Sequence, residues 1–436
     1  MQFFKYAILI LVLSLGSPPY QVAAEDPSVD MVAERYVKLI LAIGEHEPGY
    51  VDAYYGPPKW QGAIKANVPS LENLAAEASS LTAILTKYIE QNSPSLDRQR
   101  LRFLDKQLTA ADARISMLQG NKFSFDEETA LLFDAVVPPV HQVDLDASLR
   151  ALDDLIGGEG SLQERFIAYR KQFTIPKNKL ASVFAAAIEG CKTQTNKFMT
   201  LPKGENFTTE FVTDKPWSGY NWYQGGAVSL IQVNTDLPSL IDAAVNLGCH
   251  EGYPGHHVFN AMLENNLVDA KGWVEFSVYP LYSPQSFLAE GTASFARFMA
   301  FPEGKQTEFE TSVLYPLAGI DPGPNGKSAK QYADTLQALA GLKYARIEGA
   351  RRYLDGKINR DELIDWLSRY QLISRERAAQ GVRFIETYRG YVINYTLGSD
   401  LAAAYVARKG GTNPIERWRA YITLLSTPLT ASMLGD

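Results

Sequence analysis

The sequence has few cysteines, few histidines and little long apolar sequence. Its 436 residues include 2 Cys and 5 His, and two cysteines are too few for the dense disulfide framework of small secreted domains. One apolar run, residues 6–15, stands out, but it is shorter than the ~20 residues that a membrane-spanning helix needs. No later segment is both long enough and apolar enough. We therefore predict that the mature chain has no membrane partner.

An excess of basic residues is also missing. The chain has 42 Lys and Arg against 49 Asp and Glu, a formal net charge of -7. The basic residues form no stripe, which argues against nucleic acid as a partner. With 46% hydrophobic and 21% charged residues, the composition is that of an ordinary globular protein with ample chain for a large core.

The N-terminus has the pattern of an export signal. Lys5 precedes the apolar run, and the small residues Ala23 and Ala24 end the polar region that follows. A positive start, a short apolar stretch and a small-residue cleavage site define a secretory signal peptide. We predict that residues 1–24 are cleaved and that the protein is secreted or periplasmic. The alternative is an uncleaved membrane anchor.

The two cysteines leave two interpretations open. In an exported protein Cys191 and Cys249 can form a disulfide, but buried free thiols are also common. We favour two unpaired thiols, because Cys249 adjoins the histidine motif described below.

Apolar residues recur with helical spacing through most of the chain. Residues 31–45, for example, place their apolar side chains on one face, and Pro-Pro and Gly-Gly pairs at 138–139 and 157–158 separate later helices. We predict a mainly α fold with two helical lobes, residues 25–200 and 201–436, or one continuous domain.

One segment has the pattern of β-strands. Within residues 220–233, two runs rich in aromatic and branched apolar residues flank the turn sequence Gln224-Gly225-Gly226. This pattern predicts a small hairpin. A helix from about Ser239 follows and runs into His250. Later helices are predicted at residues 284–299 and, among others, from Pro414 onwards, with Asn413 as the cap.

Three of the five histidines fall within eight residues, His250-Glu251-Gly252-Tyr253-Pro254-Gly255-His256-His257. A His-Glu pair at the end of an amphipathic helix begins the zinc-protease motif H-E-x-x-H, in which two imidazoles bind the metal and the Glu acts on a water. Here the second His comes six or seven positions after the first, where the usual motif has four.

The Pro-Gly pair suggests which histidine is the second ligand. Pro254 cannot donate the helical hydrogen bond to His250, so we predict a local bulge that draws the second imidazole back. An unbroken helix would separate His250 from His257 by ~10.5 Å. We favour His256 as the second ligand and keep His257 as the alternative.

A catalytic zinc ion needs a third protein ligand and one open position. The other histidines, His46 and His141, lie far upstream. Glu290, in a helix between small residues, needs a partner if it is buried, and zinc would provide one. The alternative is an ordinary ion-paired carboxylate. The sequence thus predicts a Zn²⁺ site of His250, His256 and Glu290.

The motif resembles H-E-x-x-P-G-H-H, the signature of the bacterial family called domain of unknown function 885. Ala289-Glu290-Gly291 resembles the later Glu-Gly motif of that family, although Thr-Ala follows here where Trp-Ala is common. The family is similar to the helical gluzincins, which include carboxypeptidases and oligopeptidases. The resemblance implies a channel between two helical lobes, with the small hairpin beside the metal-binding helix.

In such enzymes the strand before the metal helix pairs with the substrate backbone, and residues 220–233 are placed either to do so or to brace the lobes. Helical gluzincins often stabilise the oxyanion with a C-terminal Tyr. Tyr391 and Tyr395, four apart on one helix face, are the candidates, unless they are core residues.

We therefore expect a zinc metallopeptidase-like hydrolase with Glu251 as general base, acting on a peptide or small amide. The alternatives are a metal-dependent amidase or esterase, or a non-catalytic, metal-containing peptide-binding protein. Glu251 argues against the last, because a structural site needs no carboxylate beside its first His. For an exopeptidase, the sequence leaves four arginines open as the group that holds a free terminus, namely Arg346, Arg351, Arg383 and Arg389.

Overall fold

The structure is a computed structural model that describes residues 28–91, 97–215, 217–236 and 238–435. The predicted signal peptide, residues 1–24, lies outside these ranges. The fold is mainly α, as predicted. None of the described helices combines the length and apolar character that a membrane crossing requires.

The first half of the described chain is mostly helical, as the periodicity predicts. Its helices are α1 (Val29–His46), α2 (Pro58–Ala66), α3 (Leu71–Gln91), α4 (Arg98–Leu118), α5 (Phe125–Phe133), α6 (Gln142–Ile156), α7 (Leu162–Lys171) and α8 (Leu180–Thr195).

The helices of the second half surround the histidine motif. They are α9 (Ile241–Leu247), α10 (His256–Leu263), α11 (Pro284–Ala300), α12 (Lys305–Phe309), α13 (Tyr315–Ala318), α14 (Lys327–Ala338), α15 (Ala345–Leu354), α16 (Arg360–Gln371), α17 (Arg375–Tyr388), α18 (Ile393–Gly410) and α19 (Pro414–Ser426). A π-helical segment, Gly248–Gly252, continues α9.

Local sequence accounts for several helix starts. Ser283 caps α11 through its side chain, and Pro284 occupies the first helical position, where a missing N–H costs nothing. Asn413 caps α19 in the same way, as the sequence predicts.

Two small sheets accompany the helices. The strands are β1 (Val51–Tyr54), β2 (Asn206–Val212), β3 (Gly219–Gly225), β4 (Val228–Asn234) and β5 (Val278–Pro280). The predicted hairpin is confirmed as β3 and β4, which pair antiparallel. Strand β2 pairs parallel with β4, so the order is β2-β4-β3, and β1 pairs with β5. Strand β3 is therefore an edge strand of its sheet.

Two large hydrophobic clusters form most of the core. One contains side chains of α8–α11, α18 and α19, and the other contains side chains of α1, α3–α5 and α15–α17. Helix α11 lies between them, because Phe287 packs in the second cluster and Leu288 and Ala289 in the first. Both clusters combine residues from either side of position 200. The division into lobes at that position stays a prediction.

Helices α11 and α18 cross at two glycines. A Cβ added to Gly291 would lie 2.5 Å from the carbonyl carbon of Gly398, closer than any real side chain approaches. The missing side chains let the two backbones touch. As a result, Glu290 on α11 comes next to the residues that begin α18.

The preference for unpaired thiols was wrong, because Cys191 and Cys249 form a disulfide with a Cα–Cα separation of 5.5 Å. Helix α8 packs along the π-helical segment, and Gly248 allows the close approach, since its Cβ would meet the backbone of Ile188 at 3.3 Å. The bond links the segment that carries His250 to α8.

Candidate metal centre

The histidine motif spans two helices and the turn between them. His250 and Glu251 lie in the π-helical segment, residues 253–255 form the turn, and α10 begins at His256. At the position of the predicted bulge the helix therefore ends, and a new helix begins after the turn. A Cβ on Gly255 would lie 1.8 Å from the carbonyl oxygen of His250, so only glycine fits where the chain folds back. The turn brings His256 beside His250.

The structure brings together three of the predicted ligands. Nε2 of His250 lies 3.3 Å from Oε2 of Glu290, and Nε2 of His256 lies 3.5 Å from the same oxygen. The candidate ligand atoms of all three lie within 4.8 Å of one another. Ligands at zinc's usual bond lengths in a tetrahedral site are separated by about 3.4 Å. The two shorter distances match that spacing.

A further observation indicates that these three ligand residues suit a zinc ion. Oε2 of Glu290 is buried and has no hydrogen-bond partner in the described structure. A buried carboxylate oxygen without a partner is costly, and a cation would satisfy it. Burial alone would raise the pKa of Glu290, but His256 and His250 hold it well below its usual value. The carboxylate is thus kept charged, as a metal ligand must be.

His257 is directed away from this group. It is fully buried, with Nε2 3.1 Å from Glu205 Oε2 and Nδ1 2.9 Å from Ser229 Oγ. An ionised carboxylate only accepts hydrogen bonds, so Nε2 is the donor to Glu205, and the Ser229 hydroxyl lies within hydrogen-bond distance of Nδ1. Tyr253 donates to the same carboxylate at 2.5 Å. These contacts fix the turn on which His256 stands.

Glu251 is buried beside the strand that precedes the motif. Its backbone carbonyl accepts a 2.7 Å hydrogen bond from Nδ2 of Asn221 on β3. A Cβ on Gly219 would lie 3.0 Å from Oε1 of Glu251, so this glycine makes room for the carboxylate. Burial raises the pKa of Glu251 to about 7, opposed by His250 and supported by Glu290.

The two candidate tyrosines occupy different positions at the site. Tyr391 is buried and donates a 2.7 Å hydrogen bond to Oε1 of Glu290, so its hydroxyl is engaged with the carboxylate. Tyr395 stacks on the imidazole of His250, with ring centroids 6.3 Å apart. Burial, Glu290 and Glu251 raise the pKa of Tyr395 well above its usual value, so its hydroxyl keeps its proton for donation.

Sequence reasoning missed Asp52. This half-buried residue of β1 accepts a hydrogen bond from the hydroxyl of Tyr220 on β3. Burial raises the pKa of Asp52 to about 6, while Tyr220 and His256 lower it and Glu290 raises it. Asp52 therefore adds a negative charge near the site. The sequence does contain one signal for Asp52, because it is a single acidic residue within the apolar and aromatic run Val51-Asp52-Ala53-Tyr54-Tyr55.

No family model matches the sequence, and no curated protein matches it. Among solved structures, a candidate lipoprotein from Colwellia psychrerythraea is similar at 15% identity and a TM-score of 0.49, over 93% of this chain and 74% of that one.

Two carboxypeptidase structures are similar at lower scores. The M32 carboxypeptidase from Deinococcus radiodurans R1 has 11% identity and a TM-score of 0.35, over 91% of this chain and 88% of that one. Metallocarboxypeptidase 1 of Trypanosoma cruzi has 13% identity and a TM-score of 0.38, over 93% of each chain. At these scores the likeness says nothing about activity.

Proposed function

We propose that the chain is an exported, zinc-dependent peptidase that hydrolyses amide bonds. One observation carries the proposal, namely the convergence of His250, His256 and Glu290 around a buried carboxylate oxygen that accepts no hydrogen bond. Glu251 follows His250 directly, where a general base is needed. The same eight residues resemble the signature of domain of unknown function 885, and that resemblance supports a gluzincin-like site.

His250, His256 and Glu290 would hold the ion. Bound zinc would polarise the scissile carbonyl and make a water more acidic. The carboxylate of Glu251 accepts a proton from the attacking water and returns it to the leaving nitrogen. Burial raises the pKa of Glu251 above its usual value, and a raised pKa suits a carboxylate that must both accept and donate a proton at neutral pH.

Tyr395 is the better placed of the two tyrosines to donate to the oxyanion. The Tyr391 hydroxyl is already bonded to Glu290, whereas the Tyr395 ring covers His250. A donor aimed at the charge that develops in the transition state typically contributes a factor of ~10²–10³ to kcat.

Strand β3 gives the substrate a backbone to pair with. In the described sheet it pairs only with β4, and Asn221 connects it to Glu251. An extended peptide added to this edge would run past the general base.

Two features support export. The predicted signal peptide precedes the fold, and the disulfide between Cys191 and Cys249 is typical of proteins that mature in an oxidising compartment.

The decisive test is Glu251→Gln. The purified protein should contain one equivalent of zinc by elemental analysis and cleave a mixed-peptide library in a chelator-sensitive way. The variant should keep its zinc and lose at least ~10²-fold in kcat, because general acid–base catalysis typically contributes 10²–10⁴-fold. Glu308→Gln, an exposed carboxylate on α12, is the matched control.

Two outcomes would overturn the proposal. Peptide cleavage that survives in Glu251→Gln would exclude Glu251 as the base. Chelator-sensitive cleavage of small esters or simple amides, with peptides left intact, would favour the rival metal-dependent amidase or esterase.

A further inference from the structure

Arg346 is a half-buried cation without an acidic partner. It lies on α15 with its guanidinium 4.6 Å from the ring centroid of Phe384. Within the described residues it makes neither an ion pair nor a hydrogen bond, so the aromatic face is its main contact. Burial lowers the pKa of Arg346, although the guanidinium stays charged at neutral pH.

Two other arginines that the sequence left open are neutralised within the fold. Arg351 bonds Glu348 at 2.7 Å and Asp126 at 3.0 Å. Arg389 pairs with Glu128 at 2.7 Å. Each has a structural partner, so neither is available to hold a ligand.

Arg383, the fourth of these arginines, is exposed on α17. Water solvates an exposed guanidinium well, so its lack of a partner needs no explanation. Arg346 is therefore the member of this set that is both shielded from water and unpaired in the described structure.

Arg346 lies close to the candidate metal centre. Its charge interacts with the hydroxyl of Tyr395. The Tyr395 ring lies 6.4 Å from the ring of Phe384, over which the Arg346 guanidinium lies, and 6.3 Å from the imidazole of His250. Contacts through Phe384 and Tyr395 thus connect the guanidinium to the first metal ligand.

A half-buried charge without a counter-charge is unfavourable in the free protein. A ligand that brings an anion to this position would remove the penalty when it binds. The planar guanidinium bonds a carboxylate through two parallel N–H groups, which makes arginine well suited to this anion.

We propose that Arg346 binds the free C-terminal carboxylate of a peptide substrate, so that the enzyme removes residues from the C-terminus and does not cut internal bonds. This inference rests on the proposed peptidase function.

The test compares two peptides that differ only in their terminal charge. The zinc-loaded enzyme is given acetyl-Ala-Ala-Phe-Leu and the same peptide as its C-terminal amide. We expect kcat/KM to be at least ~100-fold higher for the acid, because removing one partner of a shielded charge pair costs that much. Mass spectrometry should show leucine as the first residue released.

Variants then assign the preference to Arg346. In Arg346→Gln, kcat/KM for the acid should fall by ~100-fold while the amide is cleaved as before. Arg346→Lys should recover part of the acid preference, since lysine keeps the positive charge but lacks the planar guanidinium that bonds a carboxylate through two N–H groups. Arg383→Gln is the matched control and should change neither value, and zinc content should stay at one equivalent in all three.

A binding measurement separates this inference from the proposed function. In zinc-loaded Glu251→Gln, calorimetric titration should show tighter binding of the acid than of the amide, and adding Arg346→Gln should abolish the difference. Equal binding and equal cleavage of the two peptides would overturn the role of Arg346 and leave the peptidase intact. Cleavage of neither peptide, with the binding difference present, would refute peptidase activity but support the carboxylate site.

If Arg346→Gln fails to fold, the wild-type comparison and Arg346→Lys still decide the question. Cleavage that requires a free N-terminus and ignores the C-terminal charge would also overturn the proposal, since it would indicate an aminopeptidase.

Discussion

The hydroxyl of Tyr391 donates a 2.7 Å hydrogen bond to Oε1 of Glu290 and leaves Oε2 of the same carboxylate to the two imidazoles. The two oxygens therefore have different tasks, because one is anchored to the protein and the other is presented to the ion. Outer hydrogen bonds of this kind orient ligands and tune their affinity for the metal.

Tyr391→Phe should weaken zinc binding. Without its anchor, the Glu290 carboxylate can rotate, and loss of such a partner typically costs 10–100-fold in metal affinity. Competition with a chromogenic chelator measures the effect, and Glu290→Gln, which removes a ligand, should be weaker still. An unchanged affinity in Tyr391→Phe would show that the hydrogen bond does not position the ligand.

Tyr395→Phe should have the opposite pattern. We expect kcat to fall by ~10²–10³-fold, as for loss of one oxyanion donor, with zinc affinity unchanged. Tyr391→Phe is the natural control, because zinc saturation should restore much of its activity but none of that lost in Tyr395→Phe. If added zinc restored the activity of both variants equally, Tyr391 would not be specific to metal binding and Tyr395 would not be specific to the oxyanion.

The helix crossing at Gly291 and Gly398 should tolerate no side chain. Gly291→Ala or Gly398→Ala would force α11 and α18 apart, and overpacking of this kind costs ~1–3 kcal/mol in the free energy of unfolding. The loss is measured by urea unfolding, with zinc affinity as a second readout, because Glu290 would move from Tyr391. Gly62→Ala, in α2 with open space around it, is the control and should be neutral or slightly stabilising. An equal loss in all three variants would argue against the close approach as the cause.

The Glu205 carboxylate should make stability depend on pH. Burial would raise the pKa of Glu205, but hydrogen bonds from His257, Tyr253 and Lys192 outweigh it and hold the value at about 2, below the ordinary 4.5. A lowered pKa stabilises the fold at pH values above the ordinary pKa, and this contribution fades as the pH falls from 4.5 towards 2.

Glu205→Gln should therefore be less stable than the wild type at pH 7, and the difference should shrink between pH 4.5 and pH 2.5. Urea unfolding at a series of pH values measures it. A difference that stays constant across this window would show that Glu205 acts only as a neutral acceptor.

Local sequence pattern predicted much of the fold. Helix α11 (Pro284–Ala300) matches the predicted residues 284–299, and strands β3 and β4 match the predicted hairpin. Periodicity and turn residues determine such elements locally, which is why one sequence suffices. The three residues that converge as candidate ligands were also chosen from local signals, a helix break at Pro254 and an acid among small residues.

Contacts between distant segments could not be predicted in this way. Strand β2 is mostly exposed, and its parallel pairing with β4 joins two strands that are not neighbours in the chain, because β3 lies between them. The Cys191–Cys249 disulfide depends on how α8 packs against the π-helical segment. Asp52 meets Tyr220 across 168 positions. Each of these depends on tertiary packing, for which periodicity gives no signal.

The turn at Gly255 makes the candidate metal centre sensitive to a single methyl group. The carbonyl oxygen of His250 occupies the space where any side chain at position 255 would begin. A larger residue would force the turn open and move His256 away from His250, so a chain with any residue other than glycine at this position should no longer hold the ion.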